Sequence, residues 1–184
     1  MRSNEASMGG SYGNITLKGP GQQVVVEALR GRRAAVAPMV DGCTVVFDSA
    51  CDEQDIPAVK ELASGLSRML QCSALAVVVH DDDVLIYLLY RNGELIDAYD
   101  SCPDYFDFGS AREPAPPAVG NVAELCTIFG GDLLSVETIL RKRVAKGGYT
   151  FETDRHQDLV AALSLPAFGV GTALASLPRP VRPV

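Results

Sequence analysis

The residues best suited to chemistry lie between Asp81 and Asp107, where eight acidic side chains accompany one base, Arg91. Carboxylates from a turn and a neighbouring strand end can hold a divalent cation, attract a basic partner, or simply be solvated. The Asp81–Asp83 run lacks the alternating acids and distal Glu of a calcium loop. We therefore expect neither a metal nor a cofactor, and predict a binding surface instead. Its residues are Asp81, Asp82, Asp83, Asp97, Asp100 and Asp104.

Three residues are candidates for catalysis: His80, Asp82 and Cys102. His80 ends a predicted strand beside a carboxylate, which can tune a histidine to act as a general base. Cys102 follows the last predicted strand, but neighbouring carboxylates would raise the pKa of its thiol and lower its reactivity. Since no motif forces a nucleophile near His80, we favour structural roles. His156, in a helical first turn among charged residues, is expected at the surface.

The elements that must position these residues form a β-meander. Apolar runs at 74–80, 84–90 and 94–99 are separated by Asp81-Asp82-Asp83 and by Asn92-Gly93. A short Asn-Gly loop between such runs is typical of a hairpin. In the middle run, alternate residues on both sides are apolar, so both faces of the sheet must be covered.

Upstream of the meander, the pattern predicts strands at 14–18, 34–40 and 43–47, and helices at 21–30 and 56–70. The predicted order is β-α-β-β-α-β-β-β. The fold class is therefore α+β, with a mainly antiparallel sheet of about six strands and helices packed on it. The first six elements have the order of a split βαβ, ferredoxin-like unit, with the two helices on one face.

Downstream, the chain becomes helical. We divide it into a disordered tail (1–12), a sheet domain (13–111), a Pro-rich connector (112–118), a small helical C-terminal part (119–177) and an extended tail (178–184). The C-terminal helices are predicted to cover the second face of the sheet. A homodimer is the alternative cover.

Composition excludes some classes of function. The 184 residues carry a net charge of −7, with a pI near 4.8, which disfavours binding to nucleic acid or to an anionic membrane. None of the five cysteines has CxxC spacing, and no apolar run reaches the ~20 residues of a membrane span. We expect a cytoplasmic protein with free thiols.

Three segments, NITLKGP, HDDDVLIYLLYRNGELIDAYDSCPDYF and LPAFGVGT, together resemble an uncharacterised family of small bacterial α+β proteins. The resemblance extends over residues 13–172 and implies no activity, so whether the chain is an enzyme stays open. We expect a noncatalytic binding or regulatory protein, of the immunity or adaptor kind, that uses its acidic surface on an unknown protein partner. The alternatives are a metal-dependent hydrolase around His80 and Asp81–Asp83, or a small-molecule binding domain with a pocket between the sheet and the C-terminal helices.

Overall fold

The computed structural model describes residues 10–105, 116–142, 148–177 and 182–184. Seven strands form one sheet in the order β6-β5-β4-β1-β3-β2-β7, and every neighbouring pair is antiparallel. The strands are β1 Tyr12–Lys18, β2 Ala34–Val36, β3 Cys43–Asp48, β4 Ser73–His80, β5 Val84–Arg91, β6 Glu94–Asp100 and β7 Arg182–Pro183. The predicted α+β class and antiparallel sheet are confirmed.

The helices of the described ranges are α1 Gln22–Ala28, α2 Ser49–Asp52, α3 Ile56–Met69, α4 Val122–Phe129, α5 Leu133–Arg141 and α6 Glu152–Ala162. Two 3-10 turns follow, at Ala167–Gly169 and Leu174–Ser176. None of the helices in these ranges is long and apolar enough to cross a membrane.

Local sequence explains both tight hairpins. Asp41 and Gly42, between Val40 and Cys43, have φ of 51° and 73°, and Asn92 and Gly93 have φ of 53° and 91°. Two consecutive positive φ values define the type I′ loop, whose twist suits antiparallel strands and which favours Asn, Asp and Gly. The predicted 34–40 strand is shorter than expected, because regular pairing ends at Val36 and resumes only at the Val40–Cys43 bridge.

The central strands place β1 between β4 and β3, as a split βαβ unit requires. One sheet face packs on α1 and α3 in a cluster that includes Leu17, Leu66 and Val78. Alternate strand residues face the other side, since successive side chains of a strand point in opposite directions.

The second face carries the C-terminal helices. Its cluster joins Leu85, Tyr87 and Leu89 of β5 to buried residues of the three helices. Those residues are Val122, Leu125, Phe129, Val136, Leu140 and Leu159. The predicted docking of these helices on the sheet is confirmed, and covering this face does not require a second subunit.

Three parts of the chain differ from expectation. β1 begins at Tyr12, inside the segment expected to be a disordered tail. α2 lies between Asp48 and Asp55, an acidic stretch whose sequence predicts a linker. The two-residue β7 pairs with β2 and adds a seventh strand. The rest of the expected N-terminal tail (1–9), most of the connector (112–115) and residues 178–181 lie outside the described residues.

Candidate functional site

The β4–β5 turn and the segment after β6 meet at one end of the sheet. Asp81 is exposed and accepts a hydrogen bond from Ser11 Oγ at 3.1 Å. Exposed Asp83 accepts one from the Tyr105 hydroxyl at 3.2 Å, so the turn contacts the segment after β6. Most of the acids predicted to form a surface therefore share one region.

Half-buried Asp100 and Asp104 belong to the same region. The Asp100 carboxylate accepts a hydrogen bond from the backbone N–H of Cys102, and burial raises the pKa of Asp100. The Cys102 thiol lies 3.7 Å from an Asp104 oxygen. Asp100 pairs with Ile86 across the ladder and points to the same sheet face, because directly opposed residues of antiparallel strands share a face.

Asp82, in contrast, is turned toward the protein. Its side chain accepts from the backbone N–H of Thr153 at 2.7 Å, and its carbonyl oxygen accepts from that of Glu152 at 2.9 Å. The residue that precedes α6, Phe151, supplies no side-chain cap. Asp82 therefore caps α6 from another part of the chain, where a carboxylate also complements the positive end of the helix dipole.

Asp97 was predicted to belong to the acidic surface, and the structure contradicts this prediction. Its residue is only 7% exposed, and it faces the C-terminal helices. It accepts hydrogen bonds from the Tyr87 hydroxyl at 2.8 Å and from the backbone N–H of Asn121 at 2.6 Å. Asn121 is the N-cap of α4, so Asp97 fixes where this helix starts. A carboxylate enclosed in this way cannot meet a partner.

His80 is half-buried, with its Nε2 atom 3.5 Å from an Asp81 oxygen and its ring edge against Tyr105 at a centroid distance of 5.8 Å. Cys102 is buried, and burial, followed by the charge of Asp104, raises the pKa of its thiol to about 11. A thiol with that pKa is protonated at neutral pH and is a poor nucleophile.

The metal-dependent alternative needs a set of ligands that lie close together. Within the described ranges, no group of three or more His, Cys, Asp or Glu side chains lies close enough together to hold a metal ion. Asp82, which that alternative would need, is occupied by the α6 backbone.

A buried polar cluster behind the acidic turn was not predicted. The ion pair between Glu152 and Arg155 is wholly buried, with contacts of 2.7 and 3.1 Å. The Arg155 guanidinium lies over the rings of Tyr149, at 4.5 Å, and Tyr99, at 5.9 Å. Burial raises the pKa of Glu152, while the paired guanidinium acts in the opposite direction.

His156 belongs to this cluster, so its expected surface position is wrong. It is 3% exposed, and its Nδ1 atom shares a 2.9 Å hydrogen bond with the hydroxyl of Tyr12. Burial lowers the pKa of His156 to about 4 and raises that of Tyr12 to about 12. Both side chains are therefore neutral at physiological pH, and the pair joins α6 to β1.

A cavity of about 120 Å³, which we call the sheet-end pocket, lies on the α3 side of the acidic region. Its residues are Gln54, Ile56, Val78, His80, Val84 and Ile86. The Gln54 amide nitrogen donates to the carbonyls of Tyr12, at 3.4 Å, and Cys51, at 3.1 Å. Those two bonds orient the amide, and its buried Oε1 atom has no hydrogen-bond partner among the described residues.

Carboxylates surround this pocket. Exposed Glu53 and Asp55 flank Gln54 in the chain, Asp81 contacts His80, and Asp100 lies beside Ile86. We call the accessible set the acidic rim. It consists of Glu53, Asp55, Asp81, Asp83, Asp100 and Asp104. Sequence reasoning missed Glu53 and Asp55 because only the fold brings the α2–α3 turn beside the end of β4.

A second cavity, of about 320 Å³, lies between α1 and α3 and includes Ala28, Leu62, Gly65 and Met69 among its residues. Both described cavities thus lie away from the interface between the sheet and the C-terminal helices, where the small-molecule alternative expected one.

Comparison of the chain with family models, with curated proteins and with solved structures gave no match. The resemblance to small bacterial proteins therefore stays an expectation, and functional proposals rest on the geometry of this chain alone.

Proposed function

We propose that this protein is a noncatalytic binding protein that presents its acidic rim to a basic segment of a partner protein. The observation that carries the proposal is that six exposed or half-buried carboxylates lie at the end of the sheet that holds an apolar pocket. Among the residues that line this pocket, His80 is the basic one. Opposite charges across an interface speed encounter and discriminate against acidic competitors.

The state of the catalytic candidates supports binding over catalysis. The Cys102 thiol is buried and protonated, His156 is enclosed and neutral, and Asp82 is used by α6. Each of these three groups thus has a structural partner or a pKa that does not suit acid–base or nucleophilic chemistry at neutral pH.

The direct test measures binding of fluorescent peptides, graded from acidic to basic, by anisotropy at low and physiological ionic strength. We expect affinity to rise with peptide basicity and to fall with salt, because exposed charges are screened over about 10 Å at 0.1 M salt. The double variant Asp81→Asn/Asp83→Asn keeps hydrogen-bond acceptors for Ser11 and Tyr105 while removing two rim charges.

The matched control is Glu61→Gln/Glu94→Gln, which removes the same charge from exposed positions on α3 and at the start of β6. An exposed ion pair contributes about 0.2–1 kcal/mol, so the loss of two rim charges should weaken the binding of basic peptides about twofold to thirtyfold, while the control should bind as wild type does. Equal losses in both variants would mean that net charge alone attracts the peptides, and the proposed site would be wrong.

A further inference from the structure

We infer that the sheet-end pocket receives an arginine side chain of the basic partner, a refinement that rests on the proposed function. The pocket has an apolar floor, the side chain of Gln54 in its lining and carboxylates close by. An occupant that suits all three has an aliphatic stem and a cationic head with several N–H donors.

Size selects a side chain over a metabolite. The sheet-end pocket has a volume of about 120 Å³. Small-molecule sites usually measure about 300–1,000 Å³. The sheet-end pocket therefore has room for the end of one long side chain and is too small for a drug-sized ligand.

The position of α3 explains why the pocket exists. α3 begins at Ile56 and covers the sheet from there toward the other end, while β4 and β5 continue to His80 and Val84. The floor consists of Val78, which is 4% exposed, and Val84, which is 1% exposed, together with half-buried Ile86. The methylene groups of an arginine can lie on such a surface while the charged head stays near water.

The polar groups select a donor. Gln54 Oε1 is buried and accepts no hydrogen bond among the described residues, and a buried acceptor without a donor is energetically unfavourable. Gln54 lines the pocket, so a guanidinium group could donate to this oxygen once the amide turns toward the pocket, and still face the rim carboxylates. The rings of His80 and Tyr105, which meet edge to face beside the pocket, add a surface on which a planar cation can stack.

Arginine suits this environment better than lysine. Its guanidinium is more weakly hydrated than an ammonium group and carries five N–H donors in a fixed plane, whereas lysine carries a compact and strongly hydrated charge. Citrulline has nearly the shape of arginine without the charge, so a comparison of the three side chains separates shape from charge.

The test uses three soluble basic peptides of identical sequence apart from one central residue, which is arginine, lysine or citrulline. Binding is followed by NMR through the methyl groups of Ile56 and Ile86 and the side-chain amide of Gln54. We expect the arginine peptide to shift these signals and to bind about tenfold more tightly than the citrulline peptide, because hydrogen bonds to a charged group are the stronger ones.

Ile86→Phe tests the pocket while leaving every rim carboxylate in place. Leu95→Phe, at a 52% exposed position on β6, is its matched control, and circular dichroism checks that both variants fold. We expect Ile86→Phe to lose the preference for arginine over lysine while keeping salt-dependent binding of basic peptides. Leu95→Phe should keep both properties.

The possible failures are distinguishable. Basic peptides that bind without shifting the pocket signals, or an arginine preference that persists in Ile86→Phe, would overturn the pocket inference and leave the proposed function standing. Failure of all basic peptides to bind would overturn both. Should Ile86→Phe not fold, Gln54→Met, which removes the unpaired oxygen, would have to weaken arginine binding for the inference to survive.

Discussion

His156 makes stability depend on pH in a direction that the structure fixes. His156 is only 3% exposed, and its ring is stacked on the ring of Tyr12 at a centroid distance of 5.7 Å. Protonation would place a charge where water is excluded, and burial therefore lowers the pKa to about 4 from the ordinary 6.5.

The size of the effect follows from linkage. In the unfolded chain the imidazole takes up a proton below about pH 6.5, while the folded protein resists protonation until about pH 4. Folding stability from this group is thus complete above pH 6.5 and is lost progressively as the pH falls toward 4. At 1.36 kcal/mol per pKa unit, the loss amounts to about 3 kcal/mol.

Two acids act in the opposite sense. The raised pKa values of Glu152 and Asp100 mean that their contribution is present below their unfolded pKa and is lost as the pH rises through the folded one. The wild-type stability curve therefore mixes several groups, and only the difference between variants isolates His156.

The assay is urea unfolding of wild type, His156→Asn and His80→Asn between about pH 7 and about pH 4.5. We expect His156→Asn to be less stable at neutral pH, where the Tyr12 contact is weakened, and to lose about 2–3 kcal/mol less than wild type on acidification. His80→Asn, which changes the other histidine of the chain, should retain most of the wild-type slope.

NMR titration of the His156 ring gives a check independent of stability. A midpoint near or above 6 in the folded protein, or equal pH slopes in wild type and His156→Asn, would show that the site admits water and that the burial argument is wrong.

Three further predictions concern stability and are measured by the same unfolding assay at neutral pH. Asp82→Ala removes the distant cap of α6 and should cost about 1 kcal/mol, whereas Asp81→Ala should cost a few tenths; equal costs would contradict the capping role. Gly120→Ala should destabilise by about 1–3 kcal/mol, because its Cβ would overlap the Asp97 carboxylate and the Ala98 carbonyl, while Gly65→Ala, in open space within α3, should stabilise by about 0.5–1 kcal/mol. Arg155→Met leaves a buried carboxylate without its partner and should cost about 3–5 kcal/mol; a loss below about 1 kcal/mol would show that the ion pair is dispensable.

Much of the fold could be predicted because its strongest signals are local. Asp41-Gly42 and Asn92-Gly93 mark hairpins through the φ values that their turns require, and the three- and four-residue recurrence of apolar residues marks α3. The pairing of β7 with β2 depends on two segments about 150 residues apart. No local pattern in the two residues of β7 specifies that contact.

The sequence contains a pattern that indicates burial of His156, but the polar residues in that pattern make it look exposed. Glu152, Arg155 and His156 continue the stripe of Leu159, Val160 and Leu163 at helical spacing. A stripe that changes from apolar to charged looks like a helix emerging into solvent. Here it stays inside, because each charged or polar group on it meets a complementary one: Glu152 meets Arg155, and His156 meets Tyr12.

The roles of the individual carboxylates could not be predicted from the sequence. Composition tells how many acids a segment has, but each acid's role depends on which donors the fold brings to it. Asp82 and Asp97 meet the first turns of α6 and α4, and Asp52 accepts from the backbone N–H groups of Leu174 and Ala175. All three hold C-terminal segments in place.

The first N–H groups of a helix or turn lack backbone partners, and a nearby carboxylate can accept their hydrogen bonds. The C-terminal segments begin several times against the sheet, and acidic residues of the sheet domain cap those beginnings. Asp82 and Asp97 are thereby removed from the surface charge that the sequence suggests. Glu53 and Asp55 are added to it by a neighbouring turn, because Asp55 stays exposed although its carboxylate caps α3. The acidic rim is consequently set by topology more than by the Asp81–Asp83 run. Its charge should respond to changes in the docking of the C-terminal helices, because a carboxylate that loses its helix becomes available to a partner.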